Sequence, residues 1–394
     1  MSEWKECKFE EFYLEPSKNG LSKPSKIRGS GYKMINMGEL FSNDFIRDID
    51  MELVPLTDKE KKSGKIEVND LLFARQSLTL EGAGKCSIVI ETSPLTVFES
   101  HLIRVRLNQK LASPIFFYYY FKSKTNPIKN IVTQAVQAGI KASELATVKV
   151  RIPSLSEQKK IAAILSSLDE KIETNRKINA RLEELAQALF KSWFIDFEPF
   201  GGKMPEDWKK GVLSDELRLE KNAIKASDVG NLPYLPIDSI PMNHLGIEDY
   251  DKSENAQSSL ITFSKNDILI GAMRVYFHRV ILSPFDGVTR TTCFVLKPNK
   301  GIALPYLLLL CNQDSTIEYA NSTSKGTTMP YAIWENGLGN MEIRIPSLDV
   351  LKKFYNVVMP LITKIRDSYK ERRSIVSLRD TLLPKLMSGE LIPE

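Results

Sequence analysis

Residues Val148 to Leu155 read VKVRIPSL, and residues Met341 to Leu348 read MEIRIPSL. Arg151 of the first copy corresponds to Arg344 of the second, an offset of 193 residues, and twice this offset nearly equals the 394-residue chain. A motif duplicated at such a distance is the signature of an internal repeat. The sequence therefore predicts two halves of similar plan.

Weaker echoes support the same division into two halves. Glu3-Trp4-Lys5 opens the first half, and Asp207-Trp208-Lys209 opens the second. The strand-like stretch NDLLFAR ends at Arg75, and the similar NDILIGAMR ends at Arg274. We therefore expect Arg75 and Arg274 to occupy equivalent places, within a residue or two.

The hydrophobic period changes from strand-like to a helical 4-3 spacing after each RIPSL. Such seams are typical of paired helices, and a chain that passes from one half to the other and back predicts an antiparallel pair. The first helix is expected from Ser156 to Trp193, roughly 57 Å long, with Ser154 or Ser156 as its cap. Pro360 is expected to kink or restart the second helix. The predicted seams consist of Ile161, Leu165, Leu168, Ile172, Asn175, Asn179, Leu182, Ala186 and Leu189, and of Phe354, Val358, Leu361, Ile365, Ser368, Arg372, Ile375, Arg379 and Leu382.

Both seams are polar at their centres. Asn175 and Asn179 lie there in the first helix, and buried amides on a helix seam fix the register of a pair. One alternative is that the seam opens at this level, so that both amides face water or a partner. Another is that the helices form a dimerisation coiled coil.

The remaining segments mix short alternating strands with Gly, Pro and Asn turns. The predicted fold class is α+β, with two similar globular domains separated by two long antiparallel helices that form a coiled-coil-like spacer. Residues 1–152 and 201–345 form the globular domains, residues 153–200 contain the first spacer helix, and residues 346–394 contain the second helix and a C-terminal tail.

Composition narrows the class of protein. Single cores rarely grow past ~250 residues, so more than one core is expected. The net charge of +5 suits a polyanionic partner without requiring one. The cysteines form no C-x-x-C pair, which predicts reduced thiols. No stretch reaches the ~20 apolar residues of a membrane span and the start lacks a signal peptide's apolar core, so a soluble, cytoplasmic protein without membrane contact is expected.

Catalytic motifs are incomplete. Gly82 to Cys86 reads GAGKC, but Thr79 replaces the first glycine of a phosphate loop, and Cys86 replaces the Ser or Thr that binds magnesium. Asn126 to Lys129 reads NPIK and lacks the second proline and the aromatic residue of amino-methyltransferases. We therefore predict neither catalytic nor metal-binding residues. The histidines, which lack metal-ligand spacing, are His101, His244 and His278.

Three local motifs resemble those of specificity subunits of type I restriction-modification enzymes. PSLSEQKKI at Pro153 to Ile161 is similar to the P-x-x-x-E-Q-x-x-I start of the family's first conserved helix. LFKSWFIDF at Leu189 to Phe197 resembles its F-x-x-W-F-x-x-F ending, and LPKLMSGE at Leu383 to Glu390 resembles its C-terminal L-P-x-L-x-S-G-E. The resemblance covers the whole chain in order. It departs at Asp349-Val350-Leu351, which replaces the Ser-Glu-Gln of the first copy.

The resemblance implies a non-catalytic DNA-recognition subunit of a larger complex. In this family each of two target-recognition domains, here residues 1–152 and 201–345, reads one half of a split, asymmetric DNA site, and the helices set the spacing. Two methyltransferase subunits dock on the specificity subunit and bring S-adenosylmethionine, and ATP-dependent restriction subunits join them. Double-stranded DNA and these subunits are therefore the expected partners, and no cofactor is expected on this chain itself.

Candidate DNA-binding residues follow the two strands that end near Arg75 and Arg274. Forked donors read base edges, and mobile cations contact phosphates. The candidates in the first half are Arg75, Gln76, Ser77, Lys85, Gln134, Gln137 and Lys141, and those in the second half are Arg274, Tyr276, His278, Arg279, Arg290, Thr291, Lys325 and Thr327.

Two functions of other classes stay open at the level of sequence. One is an enzyme, either a single-chain restriction endonuclease or a divergent DNA methyltransferase, which would cut or methylate DNA unaided. The other is a helical scaffold protein, which would lack DNA affinity even beside a methyltransferase.

Overall fold

A computed structural model describes residues 4–124, 126–134, 137–256 and 259–393. The chain divides into two compact units. Unit 1 comprises Met1–Glu170 and Ser377–Glu394, and unit 2 comprises Lys171–Val376. Both units mix α-helices with β-strands.

A long helix follows each RIPSL motif. The first long helix spans Leu155–Phe194, and the second spans Leu348–Ser388. At the start of the first, the Glu157 backbone N–H donates to Ser154 Oγ at 3.3 Å. Ser154, rather than Ser156, is therefore the residue that caps this helix. Each long helix begins in one unit and ends in the other.

The second long helix continues without interruption through Pro360, so the restart predicted there is wrong. Proline removes the hydrogen bond to the carbonyl four residues earlier, which here belongs to Asn356. Asn356 and Pro360 are both exposed. Water can therefore satisfy this carbonyl.

The two long helices run antiparallel where they pair inside unit 2. Asn175 Nδ2 donates to Glu371 Oε2 at 3.0 Å, and the ring centroids of Phe194 and Phe354 lie 4.7 Å apart. A later residue of the first helix therefore meets an earlier residue of the second. The buried members of the predicted seams are Ile161, Leu165, Asn175, Asn179, Ala186, Phe354, Val358, Ile365, Ser368 and Arg372.

Unit 1 contains short strands that pair mostly antiparallel. They are β1 (Lys5–Lys8), β2 (Lys18–Asn19), β3 (Tyr32–Ile35), β4 (Phe45–Ile46), β5 (Leu53–Val54), β6 (Leu71–Ala74), β7 (Gln76–Ser77), β8 (Cys86–Val89), β9 (Thr96–Phe98), β10 (Leu102–Val105), β11 (Thr133–Gln134), β12 (Ala138–Gly139) and β13 (Lys149–Ile152). The sheet orders are β2-β10-β6-β8-β4, β5-β3-β9, β11-β12-β7 and β1-β13. Short helices span Met37–Ser42, Asp58–Ser63, Pro114–Lys122 and Ala142–Thr147.

An aromatic core holds unit 1 together. The Pro114–Lys122 helix is buried on almost every side. Its Phe121 packs edge to face with Phe9 and Phe73, with ring centroids 4.8 and 5.3 Å away. Such pairs gain ~0.5–1.5 kcal/mol beyond the burial of their area.

Both long helices contribute to the same core of unit 1. Ile161 and Leu165 come from the start of the first helix, and Leu386 and Met387 come from the end of the second. All four side chains are buried. The last turns of the second helix therefore complete a core that otherwise belongs to the first half of the sequence.

Unit 2 has a related set of strands. They are β14 (Lys209–Val212), β15 (Leu217–Leu219), β16 (Ala223–Ile224), β17 (Tyr234–Leu235), β18 (Leu260–Phe263), β19 (Ile268–Gly271), β20 (Val280–Leu282), β21 (Gly287–Arg290), β22 (Cys293–Pro298) and β23 (Glu342–Ile345). The sheet orders are β15-β22-β19-β20, β16-β18-β21-β17 and β14-β23. Short helices span Leu213–Glu216, Leu304–Cys311 and Asp314–Ser322. The apolar Leu304–Cys311 helix packs in one core with Phe190 and Phe354 of the long helices.

The duplication of the sequence is also a duplication of strand pairing. Each RIPSL strand pairs antiparallel with the strand that opens its half. Lys5 lies opposite Ile152 in unit 1, and Lys209 lies opposite Ile345 in unit 2. The strands that begin at Lys5 and Lys209, the last residues of the two echoes, thus pair with the RIPSL copies.

Candidate nucleic-acid interface

Three segments of unit 1 meet beyond the end of β6. β7 pairs with β12, and β12 pairs with β11. Gln76 lies opposite Gly139, where a Cβ would approach the Arg75 carbonyl oxygen to 3.0 Å. Glycine therefore permits this close pairing. The fold brings Gln76 to the same small sheet as Gln134, although the two are far apart in sequence.

We term this group of side chains surface 1; its members are Gln76, Ser77, Gln134 and Gln137. Gln134 and Gln137 are exposed, while Gln76 and Ser77 are half-buried. A glutamine amide offers a donor and an acceptor side by side, which is the pattern that pairs with adenine in the major groove. Surface 1 can therefore hydrogen bond to base edges.

The positively charged side chains of unit 1 differ in how firmly other residues hold them. Arg75 is half-buried, and its Nη1 donates to the Ser100 carbonyl oxygen at 3.1 Å. Lys141 is exposed and forms a surface ion pair with Glu144 at 3.2 Å. Because exposed ion pairs of this kind contribute little, Lys141 can exchange Glu144 for a phosphate.

Lys85, another candidate for DNA binding, is directed toward the protein. Its Nζ donates to the Phe41 carbonyl oxygen at 2.7 Å and lies 3.8 Å from Asp44 Oδ1. The sequence grouped Lys85 with Gln76 and Ser77 as a candidate for DNA binding. In the fold, the contact with Phe41 decides the direction of its side chain.

The corresponding turn of unit 2 has an unusual backbone. A single 3₁₀ turn, Val275–Phe277, is flanked by Arg274 at φ +48° and His278 at φ +50°. Left-handed conformations of such residues cost about 1–3 kcal/mol and persist where surrounding contacts impose them. Here the Arg274 N–H donates to the Pro330 carbonyl oxygen at 2.7 Å. The turn presents Tyr276, 49% exposed, to solvent.

The loop from Lys325 to Tyr331 lies beside this turn. Lys325 and Tyr331 exchange two backbone hydrogen bonds of 2.9 Å, and Tyr331 also bridges to Met273. Lys325 and Thr327 are exposed. The structure thus brings together two segments that the sequence identified separately. We term the group surface 2; its members are Arg274, Tyr276, Lys325 and Thr327.

His278 and Arg279, two further candidates for DNA binding, are held by contacts within the protein. His278 is 8% exposed, with Nε2 3.2 Å from the Asn312 carbonyl oxygen and Nδ1 3.3 Å from Asp314 Oδ1. The Arg279 guanidinium donates to the Ile237 carbonyl oxygen. Both side chains therefore tie this turn to neighbouring segments of unit 2.

Arg290 and Thr291 lie at the end of β21. Arg290 is exposed, and its Nε donates to Tyr234 Oη at 2.9 Å. Thr291 is exposed and neighbours Thr292, whose carbonyl oxygen accepts from the Ala272 N–H at 2.9 Å. Thr291 is therefore close to the strand end from which Arg274 follows.

Large apolar side chains are exposed near both surfaces, and of these the sequence reasoning named Tyr276 alone. A signal was present for Leu78, Leu80 and Met329, because they lie in Gly- and Thr-containing loops without the alternation of a buried strand. Those near surface 1 are Phe41, Leu78 and Leu80, and those at surface 2 are Tyr276, Met329 and Tyr331; all six are at least 38% exposed.

The centre of the helix pair is polar and buried. Neither Asn179 Nδ2 nor Asn179 Oδ1 has a hydrogen-bond partner among the described residues, and the same holds for Ser368 Oγ. Asn175 does have a partner in Glu371, and this hydrogen bond holds the pKa of the Glu371 carboxyl below its ordinary value. An unpaired buried amide destabilises a pair but disfavours shifted registers.

The described residues contain no group of His, Cys, Asp and Glu side chains placed to hold a metal ion. Burial raises the pKa of Cys293 and of Cys311 to about 12, so both thiols stay protonated at neutral pH. No helix among the described residues combines the length and the apolar character that crossing a membrane requires.

Comparison with known proteins shows the family. Residues 1–184 match the type I restriction modification DNA specificity domain. The chain is 30% identical to the type I restriction enzyme MjaIX specificity subunit of Methanocaldococcus jannaschii over 70% of this chain and 68% of that protein. It is 21% identical to the HindI specificity subunit of Haemophilus influenzae over 91% of this chain and 94% of that protein. The fold is similar to the type I restriction-modification S subunit from M. genitalium, with TM-score 0.67, 15% identity, and coverage of 100% of this chain and 97% of that one.

The chain belongs to the specificity subunits of type I restriction-modification enzymes. Members of this family are the non-catalytic, DNA-recognition subunits of their complexes, and they act together with methyltransferase and restriction subunits. The resemblance inferred from the sequence motifs is therefore confirmed. The enzyme and scaffold alternatives are not favoured.

Proposed function

We propose that this chain selects a split, asymmetric DNA site, with residues 1–152 and 201–345 as target-recognition domains that each read one half. The observation that carries the proposal is the equivalent placement of surface 1 and surface 2, each beyond the end of a buried strand in its own half of the repeat. Two such surfaces on one chain match a DNA site with two half-sites. Because the side chains of the two surfaces differ, the two half-site sequences are expected to differ as well.

The long helices are proposed to set the spacing between the half-sites. They lie within residues 153–200 and 346–394, and each continues from one unit into the other. We further propose that two methyltransferase subunits dock on this chain and bring S-adenosylmethionine, and that the restriction subunits supply ATP-dependent translocation and cleavage.

Binding measurements with the purified complex test this function. This chain, co-purified with its cognate methyltransferase subunit, should retain one DNA sequence from a random pool in the presence of excess non-specific DNA. The methyltransferase alone should retain none. A complex that binds all sequences equally would contradict the proposal, as would sequence-specific methylation by the methyltransferase without this chain.

Arg274→Ala is expected to relax the sequence requirement at one half-site and to leave the other intact. Arg274 belongs to surface 2, and losing one good base contact costs about 1–3 kcal/mol. Competition with DNA variants at each position measures this. The matched control is Arg181→Ala, since Arg181 is a highly exposed arginine paired with Glu184 on the first long helix. An equal loss of affinity for all DNA sequences would assign Arg274 to a phosphate contact. A relaxed sequence requirement at both half-sites would contradict the proposal that each domain reads one half-site.

Asn179→Leu is expected to stabilise the helix pair while loosening its register. The variant removes a buried amide without a partner, which gains on the order of 1 kcal/mol, and it also removes the polar residue that disfavours shifted pairings. Asn175→Leu is the contrasting variant, because it removes a donor to Glu371. The urea midpoint of unfolding should rise for Asn179→Leu only. In the same variant, the gap between the half-sites should no longer have one fixed length. A lower midpoint for Asn179→Leu would show that this amide has a stabilising partner.

A further inference from the structure

The apolar side chains near surface 1 lie beside its polar readers. Leu78 is 87% exposed and directly follows Ser77, while Leu80 is 48% and Phe41 is 38% exposed. A Cβ at Gly82 would lie 3.2 Å from the Phe41 ring and would also collide with Ser77 Oγ, so Phe41 and Ser77 are neighbours. Leu78 therefore lies next to a group of amide and hydroxyl side chains, with its own side chain in solvent.

Surface 2 has the same combination. Tyr276 lies two residues after Arg274, and it is 49% exposed. Met329 and Tyr331, at 51% and 47% exposure, belong to the loop that pairs with this turn. A single exposed apolar residue needs no explanation. Here, however, three exposed apolar residues lie near each of the two surfaces, next to side chains that can donate hydrogen bonds. This repeated combination points to a partner that covers them.

DNA offers one apolar group at the edge of its base pairs. The major groove exposes the C5 methyl group of thymine, next to the hydrogen-bonding atoms of adenine in the same pair. Glutamine amides recognise that adenine edge, and an aliphatic side chain recognises the methyl group. The amides of surface 1 and the exposed side chain of Leu78 therefore match the two chemical features of one A·T pair or of neighbouring pairs.

We propose that Leu78 is a specificity-determining residue that packs against the C5 methyl group of a thymine in the half-site read by unit 1. The inference rests on the proposed function, since it names the base feature that surface 1 selects. It predicts that this half-site contains at least one A·T pair whose methyl group is required.

Deoxyuridine substitution tests the contact, because deoxyuridine lacks only the C5 methyl group of thymidine. The probe is a set of duplexes that carry the mapped site, with each thymine replaced singly, and binding is measured for the complex with the methyltransferase. In the half-site that Arg274→Ala leaves intact, replacing one particular thymine should lower the affinity of the wild-type complex about four-fold. This is the effect expected for the loss of one buried methyl-sized group. The Leu78→Ala complex should bind the thymine and deoxyuridine duplexes equally.

Leu14→Ala provides the matched control, since Leu14 is a 61% exposed leucine elsewhere in unit 1. That complex should discriminate thymine from deoxyuridine as the wild type does. Retained discrimination in the Leu78→Ala complex would overturn the inference, as would a wild-type complex that is indifferent to every methyl group in this half-site. A complex without any sequence preference would overturn the proposed function instead, so the two failures are distinguishable.

Discussion

Lengthening both long helices by one heptad is expected to widen the unspecified gap of the DNA site by about three base pairs. Seven residues add roughly 10 Å at ~1.5 Å each, and DNA rises ~3.4 Å per base pair. A whole heptad keeps the seam on the same face of each helix, so the antiparallel pair can still form. The half-site sequences should stay the same, because neither surface is altered.

The insertions belong after Glu170 and after Val376, where both helices pass from one unit to the other. These positions lie at one level of the antiparallel pair, as the nearby contact of Asn175 with Glu371 indicates. Three base pairs also rotate one half-site by roughly 100° about the DNA axis, so some affinity is lost. Methylation mapping in cells that carry the variant measures the gap.

A seven-residue Gly/Ser insertion between Gly201 and Gly202 is the matched control. These glycines are exposed, and no atom of another described residue outside their chain neighbours lies within 4 Å of the position of a Cβ at either one. The control should leave the gap unchanged. An unchanged gap in an active complex with both helices lengthened would refute the spacing role.

Leu386→Ala is expected to destabilise unit 1 by about 2–5 kcal/mol, although the residue lies near the C-terminal end of the second long helix. Leu386 is 1% exposed and packs in the same core as Trp4, Ile161 and Leu165. Truncation leaves a cavity that this mixed aromatic and aliphatic core cannot fill without moving several elements. Recognition of the half-site read by unit 1 should weaken first.

Hydrogen exchange followed by mass spectrometry measures the effect separately in each unit. Peptides from the Pro114–Lys122 helix should exchange faster in the variant, and peptides from the Leu304–Cys311 helix should not. Leu378→Ala is the control on the same helix, since Leu378 is 49% exposed. Equal acceleration in both units, or none in unit 1, would contradict the assignment of the last helical turns to the core of unit 1.

The sequence predicted the elements whose pattern is local. The helix expected from Ser156 to Trp193 spans Leu155–Phe194, and the strand-like stretch NDLLFAR contains the strand Leu71–Ala74. Apolar periodicity and turn residues suffice for such elements, because they depend on neighbouring residues.

The sequence could not predict the direction of individual side chains. Lys85 and Arg279 carry the charge that suits DNA, yet carbonyl oxygens distant in sequence hold both. Pro360 breaks a local rule, and only its exposure in the folded helix explains why the helix continues. The exposed Leu78 was missed for a related reason, since apolar residues are assumed to be buried until a structure shows otherwise.

A genome-wide methylation map tests the central claim most directly. It would compare cells that express this chain and its methyltransferase with cells that express the methyltransferase alone. We predict one methylated motif, made of two different half-sites separated by a gap of fixed length, which disappears when this chain is absent. A continuous motif, or methylation that persists without this chain, would contradict the account.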